Sequence, residues 1–131
     1  MNSLTLVFGY PRRGLSGEFA TFRLGVKASQ TFFVGSCVDL LAAKTKKLII
    51  KAQVTAVYFG PLQEMADLHS AAAHNWKDHP ANQRSALLIA SMKKRYFPGQ
   101  IRETSICSVI YLKEITDENH HHPYVQLPGL P

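Results

Sequence analysis

Between Gly14 and Gly25 the chain reads GLSGEFATFRLG, and here its residue types first point to chemistry. With Phe19 to Leu24 extended, side chains alternate, so Phe19, Thr21 and Arg23 share one face while Ala20, Phe22 and Leu24 share the other. A hydroxyl and a guanidinium then stand side by side. The planar fork of an arginine suits a phosphate or a base edge, so Thr21 and Arg23 are the leading ligand contacts. Gly14 and Gly17 permit a tight turn into the strand, and Gly25 permits a turn or a close approach after it. Gly17 and Glu18 therefore border the candidate site, and Arg12, Arg13 and Lys51 are cations able to flank it. Taken singly, each flanking cation is equally a solvated surface charge, and Arg23 has Glu18 or Asp39 as alternative ion-pair partners. Tyr58, with Tyr10 and Trp76, offers a ring for stacking on an exposed base or for packing in the core.

Other groups carry weaker signals. Lys93, Lys94 and Arg95 form a second basic patch, suited to phosphate or simply to solvent. His69, His74 and His79 recur at a spacing of five, which fits a helix face poorly, and no cysteine or carboxylate pattern completes a metal site. His120 to His122 lie in a tail without a closed coordination shell. No cofactor motif is present. The two cysteines, Cys37 and Cys107, sit in apolar strand-like runs and read as buried free thiols of a reducing compartment rather than a disulfide framework.

The elements that must position these residues follow from periodicity. Ser3 to Phe8 alternates with Leu4, Leu6 and Phe8 on one face, a first strand. Val26 to Gln30 has no strong period and reads as a loop, and Cys37 to Ala42 as a strand. Lys44 to Lys47 is a basic hairpin turn. From Leu48 to Phe59 one parity carries Leu48, Ile50, Ala52, Val54, Ala56 and Tyr58, the clearest strand in the chain. Gly60-Pro61 ends it and opens a helix predicted to run from Leu62 to about His74. A second helix follows Asp78-His79-Pro80 and runs to Phe97. Ser105 to Ile115 is apolar at nearly every position, as in a central strand covered on both faces. Five to six strands with two or three flanking helices, in this order, indicate an α+β fold built on a small mixed β-barrel.

A length of 131 residues with 46% hydrophobic content suffices for one core. Residues 1–115 form the expected domain. Residues 116–131, with three prolines, form an extended or disordered tail able to dock on a protein partner. All 15 Lys and Arg precede residue 116, while Asp117 and Glu118 of the nine acidic residues follow it, so residues 1–115 carry a net charge of +8. A basic domain favours polyanions through counterion release. No apolar run reaches the ~20 residues of a membrane span, and the first eight residues lack a signal-peptide pattern. A cytoplasmic protein is expected, and nothing in the sequence sets its oligomeric state.

Several motifs together resemble the ASCH domains of the PUA-like superfamily. SGEFATFRLG is similar to that family's glycine-lysine-(threonine or glutamate)-arginine signature beside a cleft, VGSCVDLL to its Val-Gly-Asp-x-Val strand, AQVTAVYFGPLQEM to its strand-to-helix junction, and RYFPGQ to its approach to the last strand. The resemblance covers residues 3–115. It implies a PUA-like barrel whose cleft receives RNA or a modified nucleoside. One branch resembles acetylcytidine amidohydrolases, which use a signature lysine and threonine with a helical glutamate. Here the lysine position falls on Glu18 or Phe19, depending on register, and the segment after His69 has no carboxylate. The resemblance therefore implies an RNA- or nucleotide-binding domain without catalysis. The alternatives are a hydrolase with a rearranged site, using Glu18 or Glu64 as base, and a protein-interaction module.

Overall fold

The computed structural model describes residues 4–9, 14–95 and 101–116, with Arg95 described in its backbone only. Tyr10, Arg12, Arg13, Phe97 and the tail from Asp117, including its three histidines, lie outside the described residues. Five strands, β1 (Leu4–Phe8), β2 (Glu18–Leu24), β3 (Cys37–Ala42), β4 (Leu48–Pro61) and β5 (Ile106–Glu114), form one sheet in the order β1-β3-β4-β5-β2. β1 runs parallel to β3, and the other neighbours are antiparallel. Three helices, α1 (Lys27–Thr31), α2 (Leu62–His69) and α3 (Ala81–Arg95), accompany it. The α+β class and the mixed, curled sheet agree with the sequence reading, and the strand count is its lower figure.

One face of the sheet is buried along its length, and the other is buried chiefly at β5 and the adjoining part of β2, while at β1 and the first half of β4 it faces solvent. On the concave face Leu6, Phe8, Phe19, Val38, Leu40, Val54, Ile110 and Leu112 pack with Phe32. On the other, Ala20, Cys107 and Val109 meet Leu62, Met65 and Ala66 of α2 and Leu88, Ile89 and Met92 of α3. A continuous apolar run such as β5 is what burial on both faces requires, and β5 lies between β4 and β2 as its composition predicts. β2 obeys strict alternation: Phe19 enters the concave core and Ala20 the helical one.

Four expectations are corrected. β4 does not keep one parity, because its register with β5 shifts between Val54 and Ala56; such a bulge swaps the faces beyond it, so Val57 joins the concave core and Tyr58 does not. The loop expected at Val26 to Gln30 is largely α1. That short helix has no periodicity to advertise it and is fixed by β5, whose Ser108 hydroxyl accepts from the Ser29 N–H at 3.2 Å and donates to the Gly25 carbonyl at 2.7 Å. Further, α2 stops at His69, and a 3₁₀ turn over Ser70–Ala72 bends the chain back towards β2. Cys107 is buried as expected, which raises its thiol pKa to about 12 through desolvation, but Cys37 at the exposed start of β3 is not buried.

The turn between β3 and β4 carries the sole non-glycine positive φ among the described residues, Lys46 at 60°. It closes with Lys46 N–H donating to the Ala42 carbonyl at 2.8 Å and Ala42 N–H to the Lys47 carbonyl at 2.9 Å. An L side chain costs about 1–2 kcal/mol in this region, and glycine returns part of that through the unfolded chain. Lys46→Gly is expected to raise the unfolding free energy by about 0.5–1 kcal/mol, read as a higher urea midpoint with an unchanged slope.

Candidate ligand cleft

The sheet does not close by hydrogen bonding. β1 and β2 are its edge strands, and the gap between them is crossed by a side chain: Arg23 Nη1 donates to the Val7 carbonyl at 2.9 Å. Alternation along β2 puts Thr21 and Arg23 on one face, as expected, and Arg23 Nε donates to Thr21 Oγ1 at 3.2 Å. The guanidinium carbon lies 4.6 Å from the centre of the Phe8 ring, within cation–π range. The other side of that aromatic layer is His74, whose ring meets Phe8 edge-on at 5.1 Å. Neither Glu18 nor Asp39 pairs with Arg23 in this arrangement; Asp39 Oδ1 accepts from Lys51 Nζ at 3.2 Å.

The free edge of β2 is met by the chain after the 3₁₀ turn. His74 N–H donates to the Ala20 carbonyl at 3.0 Å, and Ala20 bridges to Ala73. This contact brings His74, Asn75 and Trp76 beside Thr21 and Arg23, with Ser91 and Met92 of α3 behind them, around a cleft of about 80 Å³. Thr21 is only 2% exposed and Asn75 only 9%, so the cleft presents buried polar groups between aromatic walls. No carboxylate is among its described lining residues.

Most other sequence candidates lie elsewhere. Gly17, with φ of 61°, shapes the turn into β2, where its N–H donates to Glu114 Oε1 at 2.9 Å. Glu18 starts β2 exposed to solvent. Lys51 is held on the outer surface by Asp39. Lys93 Nζ contacts Glu103 Oε2 at 2.7 Å, so the second basic patch is partly neutralised, while Lys94 is exposed. Glu64, with Asp67 and Glu103, borders a separate shallow depression beside α2, remote in composition from the cleft. Sequence reasoning named Trp76 as a stacking ring but missed His74 and Asn75, which line the same cleft as Thr21. The residues between Thr21 and His74 carry no periodic signal of the Ala20–Ala73 bridge.

Tyr58 belongs to a second aromatic group. Its ring stacks on His69 at 4.6 Å and 23°, and His69 Nδ1 is 2.6 Å from the Tyr111 hydroxyl. The histidines at 69, 74 and 79 thus have separate environments, His79 lying 5.3 Å from Trp76, and no metal-binding cluster occurs among the described residues. Burial lowers the His69 pKa from 6.5, and burial followed by the neighbouring Tyr58 raises that of Tyr111. A base with a depressed folded-state pKa takes up its proton in the unfolded chain first. The stabilisation from neutral His69 is therefore complete above 6.5 and is lost as pH falls from there through the lower folded-state value. Urea unfolding at pH 7.5 and pH 5.5 is expected to show a smaller acid-induced loss in His69→Gln than in wild type; equal losses would remove His69 from the account.

No family model and no curated protein matches the sequence. Solved structures do. A protein of the DUF984 family from Enterococcus faecalis V583 superposes with a TM-score of 0.55 at 11% identity, covering 86% of this chain and 68% of that one. An ASCH domain from Lactobacillus crispatus JV V101 superposes with a TM-score of 0.52 at 17% identity over 77% of this chain, which spans 65% of that structure. No helix among the described residues is long and apolar enough to cross a membrane. With its curled five-stranded sheet, its seam between β1 and β2 and α2 and α3 on the outer face, the chain has the fold of an ASCH domain.

Proposed function

We propose that the cleft binds RNA or a nucleotide-like ligand and that the domain acts by binding rather than by catalysis. The observation that carries this reading is the setting of Arg23, whose guanidinium is oriented by the Val7 carbonyl, Thr21 and the Phe8 ring at the edge of a polar cleft. An oriented guanidinium offers its donors to a phosphate or base edge with less entropy to lose than a free one. Buried Thr21 and Asn75 supply polar groups for the remainder of the ligand, and Trp76 supplies a ring. Both glutamates considered as a hydrolytic base, Glu18 and Glu64, stand outside the cleft lining. The absence of carboxylates from the described lining also favours an anionic ligand over a cationic one.

The test is a titration of single-stranded RNA, duplex RNA and DNA at two salt concentrations, with wild type and Arg23→Ala. Saturable binding to one class that the substitution strongly weakens supports the reading. Weak binding to all classes that disappears with salt and ignores Arg23 overturns it.

A further inference from the structure

The cleft is too small to hold a nucleotide by itself. Its volume of about 80 Å³ has room for a few waters and lies well below the few hundred Å³ of pockets that engulf small ligands. A ligand seated there inserts a phosphate or one base edge and leaves the rest outside, so further contacts must come from the rim. The basic turn between β3 and β4 adjoins Phe8, one of the residues that line the cleft. Ala43 N–H donates to the Phe8 carbonyl at 3.0 Å, and Ala42 is the register partner of Phe8, which ties the turn to the residue whose ring carries Arg23. Lys44, Lys46 and Lys47 are all exposed. None of them forms an ion pair among the described residues, unlike Lys51 and Lys93. No described carboxylate is paired with them, and Lys46 is held in a backbone conformation that glycine would adopt at lower cost. Three described carboxylates, Glu64, Asp67 and Glu103, are gathered instead beside α2.

Resting on the cleft reading above, we infer that the turn of Lys44, Lys46 and Lys47 is a second binding element that holds the phosphates of a single-stranded RNA whose one nucleotide enters the cleft. The physiological ligand is then a strand rather than a free nucleoside or nucleotide. The cleft supplies orientation through Arg23, and the turn supplies affinity through counterion release, which grows with the number of phosphates met.

The experiment compares wild type, Lys44→Ala/Lys46→Gly/Lys47→Ala and Arg23→Ala, titrated with a mononucleotide and with a single-stranded RNA octamer over a range of salt. Glycine at 46 suits the turn, so the triple variant retains its fold, checked by its melting temperature. A double variant, Lys44→Gln/Lys47→Gln, leaves residue 46 untouched as a second probe. Wild type is expected to bind the octamer more tightly than the mononucleotide. The triple variant should lose about tenfold in octamer affinity, and its log–log salt slope should fall by about 2, from about 0.7 per phosphate contact. The double variant should show about two thirds of the slope change, and the mononucleotide affinity should stay the same in both. An unchanged octamer affinity and slope in both lysine variants would overturn the inference while leaving an Arg23-dependent mononucleotide site standing. If wild type binds neither ligand saturably, the cleft reading fails and the inference falls with it.

Discussion

Replacing Arg23 with alanine is expected to weaken binding in the cleft by about 30-fold, a loss of about 2 kcal/mol, while lowering stability by only about 1 kcal/mol. The binding loss follows from the charge. A hydrogen bond to a charged group contributes about 1.5–3 kcal/mol, and the cleft has no second described arginine or lysine in its lining. The stability loss is smaller because, among the described residues, Arg23 joins β1 to β2 through a hydrogen bond to Val7 and an aromatic contact with Phe8. Its partners at the rim keep access to water when it is removed, as the bond to Val7 is solvent-exposed. Arg23→Lys separates charge from geometry. An ammonium keeps the charge but cannot reach Val7, Thr21 and a ligand with one planar fork, so it should recover little of the affinity. Full recovery with lysine would mean that only the field of the charge matters. Thr21→Val, which keeps the shape and removes the hydroxyl, should lie between wild type and Arg23→Ala.

Gly14→Ala is expected to be the most destabilising small substitution near the cleft, at about 2–4 kcal/mol. A Cβ there would fall 2.2 Å from the carbonyl oxygen of His74, in a residue whose φ is 68°. The Lys77 side chain, 2.9 Å away, can swing aside. The His74 carbonyl cannot move alone, because the N–H of the same residue donates to the Ala20 carbonyl on β2. Relief of the clash must therefore displace the segment that forms one wall of the cleft. Gly17→Ala is the control: its φ of 61° is equally left-handed, but nothing lies within 4 Å of its added Cβ. It should cost about 1 kcal/mol. Urea denaturation of the two variants compares conformational strain alone with strain plus collision, and equal losses would show that His74 yields freely. Nucleotide binding should fall in Gly14→Ala and persist in Gly17→Ala, because the first moves His74 and the second does not.

What the sequence by itself determined is the local pattern of each strand and much of what β2 presents. A period of two placed Phe19, Thr21 and Arg23 on one face, and an unbroken apolar run made β5 central. Both are properties of neighbouring residues, written within a few positions of one another. The motifs around Gly17, Gly35 and Gly60 also carried the likeness to ASCH domains, whose fold the structure has. Only the tertiary structure decided which residues meet Arg23. Val7 and Phe8 reach it, and His74 and Asn75 line the same cleft, because the curled sheet brings its two edge strands together and a 3₁₀ turn returns the chain to Ala20. The same long-range contacts cut α2 short, formed α1 against Ser108 and moved Tyr58 away from the ligand site through the bulge in β4. Periodicity records which side of an element is apolar; it does not record which distant element covers that side, because burial depends on hydrophobicity and volume rather than on the identity of the partner. Lys51 and Lys93 show the same limit for charge: a lysine's sequence position marks it as exposed, and only the fold places Asp39 or Glu103 within reach.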